Sequence, residues 1–125
     1  MIIIDYKDRR PIYEQIVDRF KEMILKGILE PDSQLPSVRI LAMDLSINPN
    51  TIQRAYSELE RMGYIYSVKG KGSFIAATDR LKEEKREEVF HSIKMLVQEA
   101  KRIGIAEEQF ISEVSAEYKE EKRND

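Results

Sequence analysis

The pair Asn48-Pro49 constrains this chain more than any other two residues. An asparagine oxygen can accept from the free N–H groups that open a helix. Proline suits a helix's first position, where its missing N–H would have no partner, and it breaks a helix interior. A helix therefore starts at Pro49 and cannot run through from upstream. Ile52, Ala55, Tyr56 and Leu59 give it one apolar face, and Gly63 ends it. Just ahead, Pro36-Ser37 opens a shorter amphipathic pattern carried by Val38, Leu41, Ala42 and Leu45, with only Ser46-Ile47 between the two. Two short helices with so tight a link must pack at a steep angle.

The flanking segments complete a small domain. Pro11 is expected at the first position of a helix over about residues 11–26, in which Ile12, Ile16, Phe20, Met23 and Ile24 recur at steps of three and four beside Val17. Gly27 stops that helix, and residues 27–34 read as a turn-rich connection around Pro31-Asp32-Ser33. After Gly63, Tyr64-Ile65-Tyr66-Ser67-Val68 and Ser73-Phe74-Ile75-Ala76 are strand-like, and Lys69-Gly70-Lys71-Gly72 between them makes a β-hairpin. From Thr78 the character changes: no proline follows, and glycine recurs only at Gly104. Val89, Ile93, Leu96, Ala100 and Ile103 form a heptad-like seam, widened by Phe90 and Val97. A second helix from about Ala106 carries Phe110, Val114 and Tyr118 on one face, with Ile111 beside them.

The expected fold is mainly α (α+β): a helix-turn-helix head with a hairpin wing over residues 1–77, then a two-helix region over 78–121 and a frayed tail at 122–125. A two-helix hairpin of this length buries too little apolar surface to stand alone. Its seam, Val89, Phe90, Ile93, Leu96, Val97, Ala100, Ile103, Phe110 and Val114, is therefore expected to meet a second copy in a C2 homodimer. The alternative is packing back on the head.

Composition excludes several functions. There is no cysteine, hence no disulfide or thiolate metal site, and the single histidine, His91, leaves little material for acid–base chemistry. No metal and no cofactor are expected, nor an enzyme, since nothing builds a pocket around paired carboxylates. The pairs Glu83-Glu84, Glu87-Glu88 and Glu107-Glu108 read as solvated faces. No run approaches the ~20 apolar residues of a membrane span, and the N-terminus does not resemble a signal peptide, so a cytoplasmic protein with no membrane partner is expected. The 125 residues carry a net charge of −2, but residues 1–78 hold 11 basic and 10 acidic groups against 10 and 13 in residues 79–125. A bias this weak does not establish nucleic-acid binding by itself.

The arrangement argues for duplex DNA more strongly than the charge does. The amino end of a recognition helix presents N–H groups and partial positive charge, and short polar side chains there reach base edges in the major groove. Here those are Asn50, Thr51, Gln53 and Arg54, behind the cap Asn48. Gln53 can address adenine bidentately, and Arg54 a guanine or a phosphate. Ser37 and Arg39 open the preceding helix, where Arg39 can clamp phosphate or simply pair with Asp44. Lys69, Gly70, Lys71 and Gly72 can lie against the minor groove or the backbone. They lack the spacing of a nucleotide-binding loop. Tyr13, Tyr56, Tyr64 and Tyr66 read as core and hairpin packing rather than base-stacking platforms.

These residues carry a family resemblance. The run from Gly27 to Arg39, then Leu41-Ala42, Asn48-Pro49-Asn50-Thr51-Ile52-Gln53-Arg54-Ala55-Tyr56, Leu59-Glu60-Arg61-Met62-Gly63 and Gly70-Lys71-Gly72-Ser73-Phe74-Ile75 resembles GntR-type bacterial transcription regulators over about residues 10–77. The Asn-Pro-Asn-Thr start and short C-terminal region look most like the YtrA subfamily. The resemblance implies a winged helix-turn-helix head, a compact helical dimerisation region without a large effector domain, and control of genes that often encode membrane transporters. It implies phosphate or base contact by Arg39, groove contacts by Asn50, Thr51 and Gln53, and a wing contact at Gly70. Many relatives carry a guanine-reading arginine where this chain has Pro49, which leaves the target bases open and points to Arg39 and Arg54. The function implied is a homodimeric, sequence-specific repressor of a (pseudo)palindromic operator. The alternative is a non-catalytic protein-interaction or adaptor module with a winged head, which would show no salt-sensitive DNA binding and no dependence on Arg39. No residue identifies a small-molecule effector, and the helical region is expected to be too small for an internal ligand cavity.

Overall fold

The chain runs α1 (Ile12–Leu25), α2 (Val38–Leu45), α3 (Pro49–Arg61), β1 (Ile65–Val68), β2 (Gly72–Ile75), α4 (Asp79–Arg102) and α5 (Glu107–Asn124). The computed structural model describes residues 2–120 in full and 121–124 as backbone. The expected frayed tail at 122–125 lies outside the fully described residues. The chain divides into two units, Met1–Glu83 and Glu84–Asp125.

In the first unit α1 and α2 both pack on α3, and one apolar cluster joins them to the hairpin. Ile16, Ile24, Ile52, Leu59 and Ile75 are its most deeply buried large side chains, one or two from each of α1, α3 and β2. Phe20 meets Tyr56 edge to face at 5.9 Å, and the Tyr56 hydroxyl donates to the Pro36 carbonyl at 2.7 Å. That bond ties the entry of α2 to the middle of α3. Burial pushes the Tyr56 phenol well above the ordinary tyrosine range.

Helix boundaries follow local chemistry. The Ser37 hydroxyl accepts from Ile40 N at 3.1 Å and starts α2. Asn48 Oδ1 accepts from Asn50 N at 2.8 Å, and Pro49 occupies the first position of α3. At the end of α3, Tyr64 N donates to Leu59 O and Gly63 N to Glu60 O, a double closure that needs the left-handed backbone of Gly63 at φ +85°. Pro11 differs from expectation. It stands one residue ahead of α1 as its cap, where its carbonyl accepts from Glu14 N. Its extended ψ of 145° keeps it outside the helix.

β1 and β2 pair antiparallel, Ile65 opposite Ile75 and Val68 opposite Gly72. Residues 33–35, expected as part of a turn-rich connection, instead line the other edge of β2. Gln34 bridges Phe74, Leu35 N donates to Ser73 O, and Ile75 N to Ser33 O, both at 2.9 Å. The reason is burial: Leu35 is a core residue, and extending the backbone there satisfies the otherwise open edge of β2. Ahead of α1, the buried Gln15 side chain brackets Asp5, accepting from its N–H at 2.9 Å and donating to its carbonyl at 3.0 Å.

In the second unit Gly104 and Ile105 turn the chain from α4 into α5, with Ile105 N donating to Ala100 O. Ala100 is buried, and Val97 and Phe110 are half-buried at that corner. Val89, Phe90, Ile93, Leu96, Ile103 and Val114 remain 44% to 66% exposed in the single chain. An open groove of about 620 Å³ runs between the helices, lined mostly by apolar side chains including Ile93, Leu96, Phe110 and Val114. The region was expected to form no cavity. The structure has this groove because the Gly104 corner sets two apolar faces opposite each other without closing them. Among the described residues no helix is long and apolar enough to cross a membrane.

Candidate nucleic-acid interface

α3 is buried on one face and open on the other. Ile52, Ala55, Tyr56 and Leu59 lie inside, while Asn50, Gln53, Arg54 and Ser57 are exposed and Thr51 is half-buried. The geometry is that of 3.6-residue periodicity applied to a strongly segregated sequence. Its amino end is accessible: Asn48, Pro49 and Asn50 are all exposed. Asn48 satisfies one of the opening N–H groups through its cap bond. Gln53 Nε2 reaches Ser57 Oγ at 3.3 Å, a contact along the exposed face that a better partner can replace.

Arg39 is the second residue of α2 and is exposed. Among the described residues no ion pair or hydrogen bond reaches it, so the pairing with Asp44 weighed from the sequence does not form. Arg54 is held differently. Its guanidinium carbon lies 3.9 Å from the centre of the Tyr13 ring, and one Nη donates to the Tyr13 hydroxyl at 3.3 Å. Tyr13 packs against the core as expected and also serves as a platform, though for an arginine rather than a base. Glu58, one turn beyond Arg54, is engaged by Arg61 through three contacts of 2.7–3.2 Å. Those hydrogen bonds, reinforced by the Arg61 charge, hold the Glu58 carboxyl below the usual carboxylate range.

The wing carries Lys69, Gly70, Lys71 and Gly72 at its tip, all exposed. Lys71 N closes the turn onto Val68 O at 2.9 Å. Gln34 Nε2 donates to Lys71 O at 2.8 Å, and a β-carbon at Gly72 would lie 2.8 Å from that same nitrogen. The tip is thus held from the neighbouring segment. Farther down, Tyr66 stacks on Phe74 at 5.6 Å and donates to Asp32 Oδ1 at 2.7 Å, a bond that raises the Tyr66 phenol above its ordinary value.

Ser37, Arg39, Asn48, Asn50, Thr51, Gln53 and Arg54 therefore lie on two consecutive helices, and the wing residues on the hairpin of the same unit. Sequence reasoning missed Tyr13 as a partner of Arg54 and Gln34 as the support of the wing. Neither had a local signal, because the two pairs are separated by 41 and 37 residues.

Residues 12–75 match the family of bacterial regulatory proteins described as the gntR family. Along 100% of both chains, the protein is 43% identical to the HTH-type transcriptional repressor YtrA of Bacillus subtilis (strain 168). A solved GntR family transcriptional regulator from Listeria monocytogenes is 37% identical, with a TM-score of 0.68 over 87% of this chain and 96% of that one. The DNA-binding domain of AraR in complex with operator ORE1 is 28% identical, with a TM-score of 0.52 over 61% of this chain and 93% of that one. With a winged helix-turn-helix head and a helical C-terminal region like those of its relatives, the chain belongs to the GntR family of bacterial regulatory proteins.

Proposed function

We propose that the chain is a sequence-specific DNA-binding repressor that works in the cytoplasm as a C2 homodimer on a two-fold operator, one that precedes a transporter operon. One observation carries the DNA reading: the exposed amino end of α3 lies on the same unit as an unpaired Arg39 and a propped, lysine-bearing wing. α3 enters the major groove, where Asn50, Thr51 and Gln53 read base edges. Arg39, Ser37, the α3 amino end with its Asn48 cap, and Lys69 to Gly72 contact the sugar-phosphate chain. The family resemblance supports repression, as does the repressor YtrA at 43% identity.

Dimerisation rests on the second unit. A helical pair that leaves Val89, Phe90, Ile93, Leu96, Ile103 and Val114 exposed around an open groove has no core of its own. The same face of a second copy fills it and doubles the phosphate contacts. Each phosphate neutralised adds about 0.9 to the log–log salt slope. The test is retardation of duplex from upstream of the native gene across a salt series, followed by selection from random duplexes. Gln53→Ala should cost on the order of 1–3 kcal/mol at one operator position. Unchanged affinity and unchanged sequence preference in that variant would defeat the assignment.

A further inference from the structure

Arg54 has the local environment of a positioned cation without a counter-ion. One face of its guanidinium lies on Tyr13 at 3.9 Å, and one N–H goes to the Tyr13 hydroxyl. The nearest acid along α3, Glu58, is engaged by Arg61. The rest of the guanidinium edge faces solvent over an open cleft of about 440 Å³ lined by Pro11, Ile12, Tyr13, Asn50, Thr51 and Arg54. A stacked guanidinium keeps its in-plane N–H groups available while losing the freedom to wander. It is also drawn toward α1, away from Gln53 and the groove-reading side chains. We infer that Tyr13 is a positioning residue for duplex binding, holding Arg54 where it meets a backbone phosphate at the groove's edge rather than a base. This rests on the DNA-binding reading and assigns Arg54 its target and Tyr13 its role.

A phosphate contact and a base contact differ in two readouts. Losing the phosphate contact weakens binding evenly across sequences and lowers the salt slope, whereas losing a base contact relaxes specificity at one position. The experiment measures the affinity of the full-length chain for its selected duplex and for single-position variants of it, across a salt series. Arg54→Ala should weaken binding about tenfold for every duplex and lower the log–log slope by about 0.9. Tyr13→Phe keeps the ring and should stay within about twofold of wild type, while Tyr13→Leu should weaken binding about three- to tenfold. The double variant Tyr13→Leu/Arg54→Ala should bind within about twofold of Arg54→Ala, because the two residues act through one contact. Arg54→Lys keeps the charge but not the planar stack, so affinity should fall about threefold or more with the slope unchanged. This variant decides the matter if Tyr13→Leu melts early by circular dichroism. Tyr13→Leu at wild-type affinity, multiplicative losses in the double variant, wild-type binding by Arg54→Lys, or a loss confined to one base position would each overturn the inference. Wild-type chain that retards no duplex would instead bring down the functional reading on which it rests.

Discussion

Ser46 offers a sharp test of how the α2–α3 turn is held. Its backbone is left-handed, at φ 55° and ψ 46°, and it is not a glycine. The turn's own bonds are backbone ones, Ile47 N to Ala42 O at 2.9 Å and Ser46 N to Met43 O at 3.3 Å. The side chain is exposed, and among the described residues its hydroxyl has no hydrogen-bond partner. Replacing it therefore removes no contact. A left-handed conformation costs an L-residue about 1–2 kcal/mol. Glycine removes that strain but adds about 0.4–1 kcal/mol of unfolded-chain freedom. The difference leaves Ser46→Gly more stable by about 0.5–1 kcal/mol. For a unit the size of the head, that raises the melting midpoint by about 2–8 °C. The assay is thermal and urea unfolding followed by circular dichroism for Ser46→Gly, Ser46→Asn and Ser46→Ala. Asparagine tolerates this region better than most residues, so the expected order is Gly, then Asn, then Ser and Ala. Duplex affinity should be unchanged, because Asn48 keeps its place. A glycine variant melting at or below wild type, with alanine no worse than serine, would show that the turn stores no strain.

Gly72→Ala should cost about 1–3 kcal/mol, since φ +123° strains any L-residue and the new β-carbon collides with Gln34 Nε2. Hydrogen exchange at the wing reads the loss, and Gln34→Ala in the same chain should relieve part of it. Tyr56→Phe removes the bond to Pro36 O and should destabilise the head by about 1 kcal/mol, seen as a lower urea midpoint. Because burial raises the Tyr56 phenol above its ordinary 10.0, its contribution is complete below pH 10 and declines as pH rises above it. In an alkaline titration at 295 nm, Tyr56 should ionise only as the head unfolds. Ile93→Asp places a carboxylate in the exposed apolar seam, and light scattering should report monomer while the head melts as before. A dimer of undiminished strength would rule out that seam.

Much of the head was legible because its signals are local. The Asn48 cap, Pro49 at the start of α3, the Ser37 cap and the glycine at the end of α3 each act within four residues, and each lies where the sequence placed it. The apolar periodicity of α3 likewise determined which residues turn inward and which stay exposed. Pro11 shows the edge of such reasoning: the fixed φ of proline fits both the cap and the first turn, and only ψ, set by the chain leading in from Asp5, decides between them.

By itself, then, the sequence determined the order of the elements, their ends and their buried faces, since those depend on interactions between near neighbours along the chain. Tertiary structure alone decided that residues 33–35 complete the sheet, that Gln34 supports the wing and that Tyr13 carries Arg54. Each of those pairings joins residues 37 to 41 positions apart, and the energy that selects them exists only once the core around Ile52 and Leu59 has brought the segments together.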